Sequence, residues 1–237
     1  MSNAVRQLRI LPQVTAETLE QPWLLAELIG RLVEITGQAA SARLSWVVQF
    51  VAQAQRAGET VAWIQPKGGS LFPPDLQQSG VNLATLPVIR LTDTGSMLRA
   101  ADILLRSGGF GVVVLDLTAD AIAPPSDAQL GRLLGLAQKH NAIAMFVTGL
   151  ELQALPYPKR EVMGKKPTPW HETLPKMQDN TPNFANTLGS LVSLRLDVRR
   201  HRLPDGSFVI EMEATKDKRK GPGRTMQEKR LPPQGVE

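Results

Sequence analysis

Apolar residues in the first two thirds of the chain form short continuous runs that alternate with segments of helical periodicity. The runs are rich in valine, isoleucine and leucine, as expected for strands buried on both faces of a parallel sheet. The predicted strands are 30–36, 60–65, 87–91, 111–116 and 142–148. The predicted helices are 44–58, 74–79, 94–107 and 127–140. The fold class is therefore α/β, a mostly parallel central sheet flanked by helices on both faces.

The periodic pattern stops after residue 155. Residues 156–182 are basic and interrupted by proline, which predicts a long loop. Two further strands are predicted at 190–198 and 207–214, and the Asp-Gly pair at Asp205 predicts that they form an antiparallel hairpin at the edge of the sheet. The resulting division is an N-terminal segment 1–27, a core 28–214 and a flexible basic C-terminal tail 215–237.

Composition excludes several classes of site. The 237 residues include no cysteine, which excludes disulfides and thiolate metal sites. Three histidines lie far apart, at His140, His171 and His201, so no metal site is predicted. No apolar run reaches the roughly 18 residues of a membrane span, and none resembles a signal peptide. The sequence predicts a cytoplasmic protein, located at the nucleoid, without a membrane partner.

Charge is concentrated in the last third of the chain. Residues 1–150 carry 11 Lys and Arg against 11 Asp and Glu, whereas residues 151–237 carry 16 against 11, so the net charge of +5 arises there. A basic C-terminal third on a chain whose charges otherwise balance predicts an anionic partner such as nucleic acid. A solvated basic tail without a partner is the alternative.

The loop after the first strand has the position of a phosphate-binding loop but lacks most of its residues. Against the pattern G-x-x-x-x-G-K-[S/T], Gly37 and Ser41 fit. Ala42 replaces a glycine and disfavours positive φ, Arg43 replaces the lysine, and Leu44 replaces the hydroxyl that ligates magnesium. The loss of the metal ligand should impair hydrolysis more than binding. No cofactor is therefore expected, although weak ATP or phosphate binding stays open.

The order of segments resembles the core of the bacterial recombinase RecA. Gly30-Arg-Leu-Val-Glu-Ile-Thr-Gly37 resembles the strand before the phosphate loop of that family, and Ser107-Gly-Gly-Phe-Gly-Val-Val-Val-Leu-Asp116 resembles the Walker B strand. Ala52 to Ile64 resembles the next helix and strand, and Leu194-Arg-Leu-Asp-Val-Arg-Arg200 a late core strand. The resemblance covers about residues 28–220 and implies a RecA-like core.

Departures from the family concern its catalytic residues. Lys67 stands where RecA carries its catalytic glutamate, and Thr148-Gly149 replaces the polar pair that senses the γ-phosphate. Asp116 alone remains of the metal-binding set, and a strand-end aspartate can also act as a local hydrogen-bond acceptor. The resemblance therefore implies a recombinase fold without catalysis. The degenerate nucleotide loop consists of Gly37, Ser41, Arg43 and Asp116.

Among RecA-like proteins without ATPase residues, size and basic tail are most similar to the ImuA family. That resemblance implies an accessory role in the SOS response, in error-prone translesion DNA synthesis and mutagenesis. It implies as partners ImuB, an inactive homologue of Y-family polymerases, and an error-prone replicative-type DNA polymerase, with RecA as a further partner. Alternatives are a cell-division inhibitor resembling SulA and a weak DNA-dependent ATPase.

Two groups of basic residues are candidates for contact with partners. The long loop occupies roughly the place of the recombinase's DNA-binding loop, and its cations and aromatic residue suit phosphate contact and base stacking; a mobile surface loop is the alternative. The DNA-binding candidates are Lys159, Arg160, Lys165, Lys166 and Trp170. The partner-binding candidates in the tail are Lys216, Lys218, Arg219, Lys220, Arg224, Lys229 and Arg230.

Overall fold

The computed structural model describes residues 23–37, 42–69, 71–118, 125–149 and 188–230. The predicted N-terminal segment up to residue 22 and the predicted loop 156–182 lie outside the described residues. The remaining part contains a single sheet with helices packed on it.

Helices and strands alternate along the chain up to residue 148. The helices are α1 (Leu25–Leu28), α2 (Arg43–Arg56), α3 (Pro73–Gln78), α4 (Thr94–Ser107) and α5 (Asp127–Lys139), with a 3₁₀ turn at Leu83–Thr85. The strands are β1 (Arg31–Thr36), β2 (Val61–Pro66), β3 (Val88–Leu91), β4 (Val112–Leu117), β5 (Ile143–Thr148), β6 (Leu194–Arg202), β7 (Phe208–Asp217) and β8 (Thr225–Arg230).

Local chemistry sets the ends of the two long helices that follow β3 and β4. Asp93 precedes α4, and its carboxylate accepts a hydrogen bond from the Ser96 N–H at 2.8 Å. Gly108 ends α4 in the left-handed conformation, at φ 68°. Ser126 and Gln129 form a capping box at the start of α5. These bounds agree with the helices predicted from the sequence to within a residue.

All eight strands belong to one sheet with the order β3-β2-β4-β5-β1-β6-β7-β8. Every contact from β3 to β6 is parallel, and the β6–β7 and β7–β8 contacts are antiparallel. The predicted α/β class, mostly parallel sheet and antiparallel hairpin at one edge are confirmed. β1 lies near the centre of the sheet, between two strands that come much later in the chain.

Apolar side chains cover both faces of the sheet. Helices α1 to α3 contribute to the core on one face, which includes Trp23, Trp46, Phe50 and Trp63. Helices α4 and α5 contribute to the core on the other face, which includes Phe146. Complete burial of β1, β4 and β5 explains why these strands read as continuous apolar runs.

The C-terminal part of the chain differs from the predicted flexible tail. β7 continues to Asp217, past the predicted core limit at residue 214, and β8 pairs with it from Phe208↔Arg230 to Glu213↔Thr225. Gly221 and Gly223 turn the chain between these strands at φ 80° and 92°. β8 was missed because its sequence, TMQEKR, is almost entirely polar, as an edge strand can be.

Candidate functional site

The carboxyl ends of the parallel strands bring together the residues that follow them. Thr36 ends β1 and Gly37 follows it, Asp116 lies near the end of β4, and Thr148 ends β5. Ligands of open α/β sheets bind at this edge. The sequence-predicted nucleotide loop therefore lies in the expected place, although its Ser41 falls outside the described residues.

Helix α2 begins after a residue in the left-handed conformation. Ala42, the residue before it, adopts the left-handed conformation, at φ 56° and ψ 14°. A residue with a Cβ adopts this conformation at a cost of about 1 kcal/mol, so the chain keeps a glycine-like turn without the glycine. The Ala42 carbonyl accepts a hydrogen bond from the Trp46 N–H at 3.1 Å, as the first bond of the helix.

Arg43 points back toward the strand ends. Its Nη1 donates a hydrogen bond to the Gly37 carbonyl oxygen at 2.5 Å, and a Cβ at Gly149 would lie 3.8 Å from its Nη2. Burial lowers the pKa of the guanidinium, and the charge of the Asp116 carboxylate opposes that shift. The Arg43 guanidinium thus contacts the backbone of the loop that binds phosphate in a working nucleotide site.

Asp116 is buried, with 1% of its surface exposed. Its Oδ1 accepts hydrogen bonds from the Thr118 N–H at 3.0 Å and from the Thr118 hydroxyl at 2.6 Å. Its Oδ2 has no hydrogen-bond partner among the described residues. The carboxylate therefore caps the turn after β4, which is the structural role that the sequence left open for it.

Two residues at the end of β2 differ in exposure. Lys67, in place of a catalytic glutamate, is exposed just beyond the strand. Gln65 is fully buried, and neither atom of its amide has a partner within the described segments. A Cβ at Gly69 would lie 2.6 Å from Gln65 Cδ, so only glycine allows this approach. Sequence analysis missed Gln65, although a polar residue at the end of an apolar run is a usable signal.

A buried charge in β1 was also missed. Glu34 is fully buried, and its Oε2 accepts a hydrogen bond from Arg195 Nε at 2.7 Å. Its Oε1 accepts hydrogen bonds from the Thr148 hydroxyl at 3.0 Å and from the Leu188 N–H at 2.9 Å. The acidic residue within Leu32-Val-Glu-Ile-Thr36 was the available signal, because such a charge requires a buried partner.

Three of the seven candidate cations of the tail contact helix α1 or the residue that follows it. Lys220 and Arg224 form ion pairs with Glu27, and Arg219 donates to the carbonyl oxygens of Glu27 and Ile29 at 3.0 and 2.9 Å. The Arg224 guanidinium also lies 5.4 Å from the centre of the Trp23 ring. Hydrogen bonds from Lys220, and to a lesser degree from Arg224, lower the pKa of Glu27 against the opposing effect of burial. This set of contacts, here called the Glu27 cluster, joins residues 219–224 to helix α1.

The other tail candidates lie farther from α1. Lys216 Nζ donates to the Ser190 carbonyl oxygen at 3.1 Å, and burial, with the charges of Arg195 and Lys218, lowers its pKa. The Lys218 side chain is exposed. Lys229 pairs with Asp205 at 2.8 Å. Arg230 is the last residue of β8. Lys218 is therefore an exposed tail cation whose side chain makes no hydrogen bond or ion pair among the described residues.

The predicted DNA-binding residues Lys159, Arg160, Lys165, Lys166 and Trp170 all lie outside the described residues. Within the described part of the chain, no three His, Cys, Asp or Glu side chains are grouped as a metal site would require. In the same part, every helix is too short or too polar to cross a membrane.

Comparisons with known proteins agree with this architecture. The family model described as the RecA N-terminal domain matches residues 27–148. Protein RecA of Methylococcus capsulatus is 30% identical over 204 residues, which cover 78% of this chain and 53% of the relative. Protein RecA of Rickettsia canadensis is 30% identical over 190 residues, which cover 72% of this chain and 49% of the relative.

The crystal structure of SulA from Pseudomonas aeruginosa is similar with a TM-score of 0.42 and 19% identity, covering 50% of this chain and 97% of that one. The chain spans about half the length of the curated relatives it matches. Because the family model covers more than half of the chain and the sheet is of the expected kind, the chain belongs to the RecA family.

Proposed function

We propose that this chain is a non-catalytic RecA-like adaptor in SOS-induced, error-prone translesion DNA synthesis. It binds an ImuB-type inactive homologue of Y-family polymerases, in a complex with an error-prone replicative-type DNA polymerase, and DNA is a further ligand. RecA is an additional partner candidate. The family membership supports the core of this proposal, and the replaced nucleotide loop supports its non-catalytic character.

The observation that carries the proposal is the contact between Arg43 and Gly37. In a working loop the cation at this position reaches the terminal phosphates. Here the guanidinium instead donates to the carbonyl of its own loop. The Gly37 carbonyl oxygen is an acceptor and offers nothing to an anion, and the Nη1 donor of Arg43 is already used by this bond. This arrangement favours a self-contained turn over a nucleotide cradle.

The residues present also do not fit a magnesium nucleotide. Leu44 offers no oxygen for the metal, and one oxygen of the Asp116 carboxylate, Oδ1, is engaged by both donors of Thr118. Phosphoryl transfer depends on positioning and on charge stabilisation by the metal, so the loss of the hydroxyl ligand argues against catalysis. We therefore assign no reaction to this edge of the sheet.

The proposed partner surface is centred on Lys218. Its side chain is exposed, whereas Arg219, Lys220 and Arg224 are engaged with Glu27 or with backbone carbonyls of α1. An exposed cation contributes to the rate and specificity of association with an acidic surface. Of the partner-binding candidates that the sequence predicted in the tail, Lys218 is the one that we propose contacts the partner.

The test is reconstitution of the full chain with an ImuB-type protein, followed by size-exclusion chromatography and an affinity measurement. We expect a complex, and Lys218→Glu to weaken it by about tenfold through charge reversal at the contact. Lys139→Glu is the matched control, because Lys139 is equally exposed at the end of α5 but lies outside the tail. Absence of a complex with the unmodified chain would refute the adaptor role.

A second arm separates the alternatives. The full chain is used as bait in DNA-damaged cells, and bound proteins are identified by mass spectrometry. Recovery of the division tubulin without a Y-family homologue would support a SulA-like inhibitor. DNA-stimulated phosphate release by the purified chain would support an ATPase. Salt-sensitive binding to single-stranded and primed DNA tests the DNA contact separately.

A further inference from the structure

The hairpin of β6 and β7 extends beyond the strand next to it. Asp197 is the last residue of β6 that pairs with β1, opposite Thr36, and β6 continues from there to Arg202. At the rise of a strand, the hairpin projects about 16 Å past the end of β1. Residues 198–212 are here termed the hairpin arm, and all of them lie within the described part of the chain.

The arginines of the arm lie on two different faces, because side chains alternate along β6. Arg199 forms ion pairs with Asp197 and Glu213, at 2.7 and 3.5 Å. Arg200 and Arg202 lie on the opposite face, and both are exposed. Among the described residues, neither of these two arginines forms an ion pair. The charge of Arg199 is therefore neutralised within the fold, whereas Arg200 and Arg202 are accessible to another molecule.

Phe208 holds the Arg200 side chain in a defined position. The guanidinium carbon of Arg200 lies 4.9 Å from the centre of the Phe208 ring. A guanidinium stacked on a ring keeps its planar N–H edge free for a carboxylate, and it loses less freedom when it binds one. Arg202 is directly opposite Phe208 in the register of the hairpin. Phe208 is thus adjacent to both arginines of this face.

The spacing of the two arginines fits an extended acidic peptide. Residues two positions apart in a strand share a face and are separated by about 7 Å, so Arg200 and Arg202 offer their guanidinium groups at that spacing. A peptide in extended conformation with Asp or Glu at alternate positions offers its carboxylates at the same spacing. Each arginine can then form two parallel hydrogen bonds with one carboxylate.

The charge balance of this region favours a protein over a nucleic acid. Residues 197–213 and 225–230, which include the arm and the neighbouring β8, contain five Lys and Arg and five Asp and Glu. Affinity for nucleic acids depends on the neutralisation of several phosphates, which the carboxylates of this region oppose. Arg200 also covers part of the Phe208 ring, so that less of the ring is left for stacking on a base.

We propose that the face of the hairpin arm formed by Arg200, Arg202 and Phe208 binds an extended acidic segment of a protein partner. The two arginines contact the carboxylates, and Phe208 is a positioning residue for Arg200. This site is separate from the surface proposed at Lys218, because Phe208 begins β7 and Lys218 follows its other end, about 30 Å away at the rise of a strand. The contact requires neither a nucleotide nor DNA.

Fluorescence anisotropy on the full chain tests the proposal with a labelled peptide in which glutamate and threonine alternate. The control peptide carries glutamine in place of glutamate. Arg202→Gln removes one charge, and Arg200→Lys keeps the charge but removes the planar guanidinium. Arg99→Gln is the matched control, because Arg99 is exposed on α4 and its loss changes the net charge equally. Phe208→Leu removes the ring and leaves both arginines in place.

We expect the glutamate peptide to bind and the glutamine peptide not to bind. Arg202→Gln and Arg200→Lys should each weaken binding by about tenfold, through the loss of hydrogen bonds to a charged group. Phe208→Leu should weaken it by about threefold, because Arg200 loses the ring that positions it. Arg99→Gln should leave the affinity unchanged. Circular dichroism verifies that each variant is folded.

Equal binding of the two peptides, or no binding of either at low salt, would overturn the proposal. Equal effects of Arg202→Gln and Arg99→Gln would do so as well, since they would indicate a diffuse attraction between charges. Tighter binding of single-stranded DNA that is lost in Arg202→Gln would instead identify a nucleic-acid site. Lys218→Glu should leave peptide binding unchanged, so a failure of this proposal and a failure of the proposed function are distinguishable.

Discussion

Arg31 and Asp217 form a buried ion pair between the first and seventh strands of the sheet, with Arg31 Nη2 2.7 Å from Asp217 Oδ1. The side chains are 2% and 0% exposed. Asp217 also accepts the N–H groups of Arg219 and Lys220, at 2.9 and 3.3 Å. The end of β7 is therefore part of the folded core and supplies the carboxylate that the buried Arg31 of β1 requires.

Asp217→Ala should destabilise the protein by about 3 kcal/mol, because it leaves Arg31 buried without its carboxylate. Urea unfolding followed by circular dichroism measures the change in the free energy of unfolding. Lys229→Ala is the control, since its ion pair with Asp205 is more than half exposed on both sides. It should change stability by less than about 1 kcal/mol. Equal effects from the two variants would contradict the buried role of Asp217.

The Glu27 cluster should make stability depend on pH. The pKa of Glu27 is lower in the folded chain than its ordinary value of 4.5, because Lys220 and Arg224 donate hydrogen bonds to the carboxylate. The cluster therefore stabilises the protein above pH 4.5 and is lost as the pH falls through the folded pKa.

Glu27→Gln should be less stable than the unmodified chain at pH 7, and the difference should shrink between pH 5 and pH 3. Melting temperatures across this range provide the measurement. Because Lys220 and Arg224 remain partly exposed, high salt should also reduce the difference at pH 7. A difference that is constant with pH would show that Glu27 acts through packing alone.

Ala42→Gly should stabilise the protein by about 0.5 kcal/mol, because glycine relieves the left-handed backbone before α2. Ala57→Gly offers a control of opposite sign at the other end of the same helix, where φ is −78° and the residue is exposed. There the substitution only increases the freedom of the unfolded chain and should destabilise. Thermal melts of both variants suffice, and a destabilised Ala42→Gly would contradict the positive φ.

Magnesium ATP should leave the melting temperature unchanged, and no phosphate should be released with or without DNA. Arg43→Ala should lower stability by about 1 kcal/mol, because it removes the hydrogen bond to the Gly37 carbonyl. Scanning fluorimetry and a phosphate-release assay measure these effects. Hydrolysis that disappears in Arg43→Ala would refute our interpretation of the nucleotide loop.

The sequence predicted the sheet well because its central strands are buried on both faces. Continuous apolar runs such as Val112–Leu117 and Ile143–Thr148 have few alternatives in a chain with helices between them. Helix ends were predicted where a capping residue stands, as at Asp93 and Ser126. The Asp-Gly turn also gave the hairpin between β6 and β7, since Gly206 has φ 80°.

The parts that were missed depend on contacts between distant residues. β8 has six residues, of which only Met226 is apolar. The packing of Met226 against the core cannot be recognised from such a polar sequence. The charges of Arg219 and Arg224 suggested an external partner, but their contacts lie more than 190 residues away in the sequence, at Glu27. The net charge of a segment does not show which of its cations form ion pairs or hydrogen bonds within the fold.

The position of β1 between β5 and β6 has a consequence for the order of folding during synthesis. Strand β1, the first strand within the described residues, acquires its neighbours in the sheet only after residues 143 and 194 have been made. Until then the backbone N–H and C=O groups on both of its edges are unpaired, and two charges that become buried, Arg31 and Glu34, lack Asp217 and Arg195. Long-range closure of this kind slows folding and favours aggregation. We therefore expect residues 27–148 made alone to be insoluble, even though they match the family model of the RecA N-terminal domain.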